Sequence, residues 1–305
     1  MSPRSLTGAL AGTALLGAHF FACQWGEDGI ARLQQLNPPP ESGAPDGSAP
    51  SNGAGCVLPD DVDAGVSSAP STTCLGLISG KWAVRLVQFE NISPLGPPAW
   101  NLTITDLFLA QPSIDATALE LTFCGEENAL ANSSGEPQTL GENTDPAALV
   151  KALSAAPLTV PLPGNGAIEA SGVVWLWGLR NLANPATDAL PTSADAGTVW
   201  DQDMDGNPGV TVDVVSPQGQ IYLVKRAVFD FAQASSQSGW FTGSLGSTVD
   251  QEIVGASTPL LDTTVPITPR SDCTSVYQVK CVDPTLTCAS LVQSYQTIFV
   301  GAPLP

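Results

Sequence analysis

Short runs of alternating apolar and polar residues fill most of the chain from Cys74 onwards, and turns rich in glycine and proline separate them. Such alternation is typical of strands that bury one face. The sequence therefore predicts strands over residues 74–90, 100–109, 118–124, 173–179, 210–215, 220–231, 239–254 and 275–281. Residues 291–300 fit either a closing strand or a short helix.

One helix is predicted over the segment TDPAALVKALSAAP, with Asp145 as N-cap, Pro146 at the first helical position and Pro157 beyond the end. Many short strands, a single short helix and 27 prolines favour an all-β fold. We expect a single antiparallel β-barrel or sandwich domain over residues 73–305. A membrane-spanning barrel is the weaker alternative, because the prolines, the expected disulfides and a long tether speak against it.

The first 22 residues are predicted to be a secretory signal peptide, with Arg4 before an apolar stretch that is too short for a membrane span. Cys23 follows directly, so FFAC resembles a bacterial lipobox, in which the cysteine carries lipid. Phe20 and Phe21 depart from that motif, and ordinary cleavage before an unlipidated cysteine is the alternative. Gln24 follows the cysteine in place of the Asp associated with inner-membrane retention, so the lipoprotein interpretation favours the outer membrane. Residues 23–72, which contain NPPPESGAPDGSAPSNGAG, are predicted to be a disordered tether.

The cysteines support export to an oxidising compartment. If Cys23 carries lipid, an even number remains, and disulfides are the expected state in an exported chain. We predict three disulfides, with the pairing left open, among Cys56, Cys74, Cys124, Cys273, Cys281 and Cys288. A zinc site is disfavoured, because the sequence has no CxxC pair.

Charge and histidine content exclude several functions. The chain has 10 Lys and Arg against 29 Asp and Glu, a net charge of −19, which repels the phosphates of nucleic acids. Its one histidine, His19, lies in the predicted signal peptide. Histidine-dependent triads, dyads and metal sites are therefore excluded in the mature protein. Carboxylate chemistry or metal-assisted chemistry is what remains for an enzyme.

The stretch WDQDMDGNPG carries the most specific motif in the chain. Asp201, Asp203 and Asp205 occupy positions 1, 3 and 5 of a DxDxDG pattern, Gly206 permits the sharp turn, and the carbonyl of Asn207 would be a further ligand. Three neighbouring carboxylates repel one another unless a cation neutralises them, so we predict structural calcium here. The alternative is a solvated acidic turn between two strands.

The loop resembles the calcium loops of EF-hand and thrombospondin type 3 proteins. It departs from them at Gly209 and Val212, where an EF-hand places further ligands, and its strand-like flanks exclude an EF-hand. Asp195 or Glu169 could complete the ligand shell from elsewhere in the chain. Together with VTVDV and GQIYLVKRAVFDF, the loop also resembles uncharacterised bacterial envelope lipoproteins that carry DxDxDG-xPG, and this resemblance implies an exported all-β domain.

Three weaker features point to ligands. Gly80-Lys81-Trp82 resembles the GxW of the first lipocalin strand, where an arginine, here Arg226 or Arg270, would close on the tryptophan; a tryptophan packed in a sheet core is the alternative. Trp175 and Trp177 lie in an apolar run and are expected in the core, whereas Trp200 and Trp240 border polar turns and are candidates for a ligand surface. The third feature is a set of strand acids that a glycosidase would need to face each other, namely Asp230, Asp250 and Glu252.

These observations predict an exported, lipid-anchored domain of the cell envelope that acts as a binding or structural module. Its expected partners are the membrane, through the lipid, and a neutral glycan or a small apolar ligand. The alternative function is a carbohydrate-binding protein or a histidine-free glycosidase that uses paired carboxylates. We assign no catalytic residue.

Overall fold

A computed structural model describes residues 56, 58, 79–93, 99–132, 135, 137–138, 143–144, 146–163, 168–214, 218–232, 235–237 and 239–302. All of them belong to the unit Gly47–Pro305. The predicted signal peptide, nearly all of the predicted tether, Cys23 and Cys74 lie outside the described residues.

The described residues form thirteen strands and two helices. The strands are β1 (Lys81–Ile92), β2 (Trp100–Pro112), β3 (Ala118–Ala131), β4 (Pro137–Gln138), β5 (Asn143–Thr144), β6 (Leu158–Pro161), β7 (Ala170–Trp177), β8 (Val210–Val214), β9 (Gly219–Phe231), β10 (Ser235–Gln237), β11 (Trp240–Ala256), β12 (Ile267–Pro269) and β13 (Val276–Val282). The helices are α1 (Ala147–Ser154) and α2 (Cys288–Ile298).

All thirteen strands join one sheet with antiparallel pairings, in the order β4-β3-β2-β1-β13-β11-β9-β8-β5. The remaining strands pair at the sides of this path, β6 with β3, β7 with β9, β10 with β11 and β12 with β1. The prediction of an all-β antiparallel domain is confirmed.

Strand β11 joins the two halves of the sheet. Its residues from Trp240 to Ser244 pair with β13, and those from Leu245 to Ala256 pair with β9. Gly243 permits the close packing at this junction, because a Cβ there would lie 2.6 Å from the ring of Tyr277. The Tyr277 hydroxyl in turn donates to the carbonyl of Ala232 at 2.6 Å.

The main core forms from side chains that alternate inward along the long strands. At its centre, Phe108, Phe123, Trp175 and Trp177 pack with ring centroids 5.1–5.9 Å apart. Trp175 and Trp177 are buried, as their apolar run predicts. Trp82 is also buried and packs edge-on against Phe241 at 5.4 Å. Such aromatic clusters add pairing energy to the large area that they bury.

The helices differ in part from the prediction. Helix α1 has Pro146 at its N-cap, one residue later than the predicted Asp145, with no side-chain cap bond. The ambiguous C-terminal segment is a helix, α2, so the prediction of one short helix was incomplete. Thr287 caps α2 by accepting from the backbone N–H of Ser290, and Leu291 and Tyr295 bury one helical stripe. No helix among the described residues is long and apolar enough to cross a membrane.

Disulfides fix two remote parts of the chain to the sheet. Cys56 bonds to Cys273 before β13, and Cys124 on β3 bonds to Cys288 at the start of α2. Cys281 is also disulfide-bonded. The prediction of oxidised cysteines is confirmed for these residues.

Candidate functional site

The acidic loop lies between β7 and β8 and is fixed to the sheet by backbone contacts. The N–H of Trp200 donates to the carbonyl of Gly178 at 3.1 Å, and the N–H of Gln202 donates to the carbonyl of Gly209 at 3.0 Å. The Gln202 side chain accepts from the N–H of Gly178 at 2.6 Å. The two bonds to Gly178 fix the loop to the end of β7, and the bond from Gln202 to Gly209 closes the loop on itself, so its acids are held at defined positions.

The structure brings the three predicted acids together. One carboxylate oxygen from each of Asp201, Asp203 and Asp205 lies within 4.8 Å of the others. Asp201 accepts from the backbone N–H groups of Asp205 at 3.1 Å and Gly206 at 2.8 Å. Gly206 has φ +91°, the left-handed conformation that the DxDxDG turn requires of its glycine.

Thr211, the second residue of β8, connects two of these carboxylates. Its backbone N–H donates to Oδ2 of Asp203 at 2.9 Å, and its hydroxyl donates to Oδ2 of Asp205 at 2.5 Å. Sequence reasoning missed this role, although Thr211 follows the motif closely, at the start of the next strand. Asn207, a predicted ligand, donates to Asp205 through its N–H and its side-chain amide; a metal contact by its carbonyl stays a prediction.

Asp203 differs from its neighbours in burial. Asp203 is only 6% exposed, and its Oδ1 has no hydrogen-bond partner among the described residues. Burial raises the pKa of the Asp203 carboxyl, and the nearby Asp205 carboxylate adds to the rise. For Asp205, burial also acts to raise the pKa, but hydrogen bonds from Thr211 and Asn207 outweigh it and lower the pKa.

The residues proposed to complete the ligand shell lie elsewhere. Of the described acids, the group within 4.8 Å contains only the three loop aspartates, and Asp195 and Glu169 are exposed outside it. Asp213 pairs with the side chain of Gln220, which donates to it at 3.0 Å. Further ligands at this site would therefore come from backbone carbonyls or water, which calcium accepts readily.

The two tryptophans predicted for a ligand surface are half-buried. The guanidinium of Arg180 lies 6.0 Å from the Trp200 ring, and the Trp240 ring packs between Lys280 at 4.6 Å and Phe299 at 6.1 Å. Their rings thus already have protein neighbours.

The predicted carboxylate set does not form a facing pair. Asp230 is opposite Gly246, whereas Asp250 is opposite Arg226. Each acid has a local partner instead: Asp230 accepts from Ser171, Asp250 from Arg226, and Glu252 from Thr264. The two arginines proposed to close on Trp82 also pair with acids, Arg226 with Asp250 and Arg270 with Asp272.

A small apolar cavity lies in the main core, among Val84, Leu121, Ile168, Phe231, Tyr277 and Val279. Its volume is about 10 Å³, which is room for at most one water molecule. This cavity therefore gives no room for the predicted apolar ligand.

A second cluster, which sequence reasoning missed, lies inside the domain and is called here the interior cluster: Gln88, Glu90, Asp106, Glu126, Lys225 and Ser247. Gln88 donates to Oδ2 of Asp106 at 2.7 Å, and the Lys225 ammonium donates to Oε2 of Glu126 at 2.8 Å. Asp106 lies opposite Glu126 in the ladder of β2 and β3, and the Ser247 hydroxyl donates to Oε1 of Glu90 at 3.2 Å. Three carboxyls and one ammonium thus share a buried space.

Burial acts to raise the pKa values of the carboxyls of Glu90 and Glu126, whereas the charge of Lys225 acts to lower them. Glu90 has no exposed surface, and burial raises its pKa to about 7, although the Ser247 hydrogen bond and the Lys225 charge act to lower it. Burial also acts to raise the pKa of Glu126, but the adjacent Lys225 ammonium outweighs it and lowers the pKa. Oε2 of Glu90 and Oε1 of Gln88 are buried without a hydrogen-bond partner in the described part of the chain.

The sequence does contain a signal for this cluster. Glu90 has the same parity on β1 as Trp82, Val84 and Leu86, so its side chain is directed to the core side. Lys225 likewise has the same parity on β9 as Leu223 and Ala227, which lie in the core. A charged residue at an inward position of a long strand is therefore the pattern to look for.

Comparison of the chain with protein-family models, with curated proteins and with solved structures found no match. The resemblances to calcium loops, envelope lipoproteins and lipocalins therefore stay predictions that rest on the short motifs alone.

Proposed function

We propose that the chain is an exported, lipid-anchored β-domain of the cell envelope, which acts as a structural or binding module and holds a structural calcium ion in its acidic loop. Export is supported by the cystines, since disulfides persist in oxidising compartments. The lipid anchor is supported by the sequence around Cys23 and by the Pro- and Gly-rich segment after it.

The observation that carries the calcium proposal is the environment of Asp203. Its Oδ1 is buried and has no hydrogen-bond partner among the residues that the structure describes, and it belongs to a group of three carboxylates whose oxygens lie within 4.8 Å. A buried carboxylate oxygen without a donor is costly, and the neighbouring negative charges increase that cost. A hard divalent cation would satisfy this oxygen and neutralise the repulsion at the same time.

The position of the loop indicates a structural role for the ion. The loop connects the end of β7 to the start of β8, and both strands pair with β9. Asp203 and Asp205 are tied to β8 through Thr211, so an ion bound to them would fix β8 against the sheet. The half-buried rings of Trp200 and Trp240 give the carbohydrate alternative less support than this structural role.

Calcium binding can be tested on the purified exported chain by calorimetric titration and by thermal unfolding. Calcium should release or absorb heat on titration and raise the unfolding midpoint, and a chelator should reverse the rise. Asp203→Asn keeps an oxygen for the Thr211 N–H but should abolish the calcium-dependent rise. Asp213→Asn removes a carboxylate outside the group and should keep it. An unfolding midpoint that calcium and chelator leave unchanged in the wild-type chain would refute the proposal.

A further inference from the structure

We propose that Lys225 and Glu126 join through their side chains in an intramolecular amide, with Asp106 as the proton-transfer group. The bond would be a covalent cross-link between β9 and β3, in addition to the cystines. It is independent of calcium and of the acidic loop, so the two proposals stand or fall separately.

The two reacting groups are already in contact. Nζ of Lys225 lies 2.8 Å from Oε2 of Glu126, and the side chains are 7% and 10% exposed. An ammonium that hydrogen-bonds to a carboxylate has its nitrogen close to the carboxyl carbon, and a turn of the lysine side chain above the carboxyl plane would complete the approach. The folded chain therefore holds the amine and the carboxyl group next to each other.

The cross-link would bridge strands that are not neighbours. Strands β2, β1, β13 and β11 separate β3 from β9 along the sheet. Lys225 and Glu126 thus meet across the interior of the domain, between its two halves. An amide at this point would connect β3 to β9 directly, and among the described residues no backbone ladder pairs these two strands.

The reaction balances without any other reactant. The Lys225 ammonium and the Glu126 carboxylate together contain the atoms of one amide and one water molecule. The ammonium transfers a proton to the carboxylate, the neutral amine attacks the carboxyl carbon, and one C–O bond breaks as the C–N bond forms. The lysine nitrogen loses two protons in all, and the departing oxygen leaves as water with two protons. No oxidation or reduction takes place.

Asp106 is placed to move these protons. It has no exposed surface, lies opposite Glu126 in the ladder of β2 and β3, and accepts from the side-chain amide of Gln88 through Oδ2 at 2.7 Å. A protonated Asp106 can give its proton to the departing oxygen and regain one from the attacking nitrogen, so it ends the reaction unchanged. Proton transfer by a positioned carboxyl is general acid–base catalysis.

The surroundings favour the neutral product over the ion pair. The Trp177 ring covers the ammonium, with its centroid 4.2 Å from Nζ of Lys225, and Trp177 itself is buried. A buried ion pair keeps the desolvation penalty of both charges, whereas an amide has no net charge to desolvate. The same exclusion of water protects the bond from hydrolysis. The competing state is a permanent salt bridge, and the mass of the chain distinguishes it from the amide.

The test is the intact mass of the full chain after export, measured with its disulfides reduced and alkylated. The cross-linked chain should be lighter by one water molecule than its sequence mass, which here means the mass of the residues left after signal cleavage together with their alkyl groups and any lipid. Trypsin should then fail to cut after Lys225 and should give residues 86–151 joined to residues 181–226, with fragment ions that place the link at Lys225 and Glu126.

Two variants make the result decisive. Lys225→Arg keeps the positive charge and an ion pair but has no nucleophilic amine, so it should show the full sequence mass. Asp106→Asn keeps both reacting groups and should form the link at least about tenfold more slowly, as loss of a general acid predicts. Circular dichroism and the unfolding midpoint check that both variants are folded.

Two outcomes overturn the proposal. One is a wild-type chain at full sequence mass from which residues 86–151 and a peptide ending at Lys225 are recovered separately. The other is a loss of water that persists in Lys225→Arg, because that loss would come from another position, such as ring closure at Asp205-Gly206. An Asp106→Asn variant that reacts as fast as the wild type would overturn the role of Asp106.

Discussion

Gly209 lies directly against the carbonyl of Leu223, so that a Cβ at position 209 would be 2.4 Å from the Leu223 oxygen. Gly209 also has φ +81°, a conformation that L-residues adopt only with strain. Leu223 on β9 pairs with Val210, the first residue of β8. The contact with Gly209 therefore sets how closely the acidic loop approaches β9.

Gly209→Ala should therefore destabilise the domain by about 2 kcal/mol or more, since backbone strain and a backbone clash act together. Gly206→Ala is the matched control: Gly206 has φ +91°, but a Cβ there would meet nothing within 4 Å. The free energy of unfolding of this control should fall by only about 1 kcal/mol, from backbone strain alone. Urea unfolding in the presence of chelator measures both, and equal losses would contradict the close contact.

Glu90 predicts a pH dependence of stability. Its pKa is about 7 in the folded chain against an ordinary value of 4.5, so between these values the folded state keeps a proton that the unfolded state has lost. Stability from this group is thus largest at low pH, falls as the pH rises from 4.5 to 7, and stays constant above. The total loss is about 3 kcal/mol, from the size of the shift.

Glu90→Gln should remove this fall, because an amide keeps an oxygen for the Ser247 hydroxyl and does not titrate. Its free energy of unfolding should exceed that of the wild type at pH 8 and should change less between pH 4.5 and 8. Glu120→Gln, at an exposed position of β3, should follow the wild-type profile. The idea is wrong if Glu90→Gln and Glu120→Gln give parallel curves.

The cystine between Cys124 and Cys288 should hold α2 against the sheet. Replacing both cysteines by serine is expected to cost about 2–4 kcal/mol, because the bond closes a long loop. Hydrogen exchange should become faster in α2 than in β9, since Leu291, Tyr295 and the contact of Tyr295 with Glu127 then hold the helix alone. Unchanged exchange in α2 would show that packing fixes the helix without the cystine.

Cys23 should determine where the chain is found in a bacterial host. The wild-type chain is expected in the membrane fraction, labelled by a fatty acid analogue, and Cys23→Ser is expected unlabelled in the soluble exported fraction. Ala22→Ser leaves the lipobox cysteine in place and serves as the control. The same membrane fraction for Cys23→Ser and the wild type would show that lipid at Cys23 is not the anchor.

Much of the sheet could be predicted because strand formation and burial leave a local pattern. The run from Gln220 to Phe231 is rich in strand-forming residues, and β9 occupies nearly the same residues. The C-terminal helix was ambiguous because its segment mixes helix-compatible spacing, Leu291 to Tyr295, with strand-forming residues. Its cystine and its contact with Glu127 come from residues far away in sequence, which no local pattern contains.

The acidic loop could be predicted because its three ligands are close in sequence. The interior cluster could not, because its members come from β1, β2, β3, β9 and β11, and their distances depend on how the sheet curves. The half-buried state of Trp240 has a similar origin, since Lys280 and Phe299 approach it from later elements. Contacts between strands far apart in sequence are the part that local reasoning misses.

The cystine from Cys56 to Cys273 has a mechanical consequence. Cys56 precedes β1 in the chain, yet it is covalently fixed to the segment before β13. Tension applied to the N-terminal side of Cys56 passes through this cystine to the β12–β13 segment. The backbone hydrogen bonds of β1 are thereby shielded from the pull, and the strand cannot be peeled from the sheet one residue at a time.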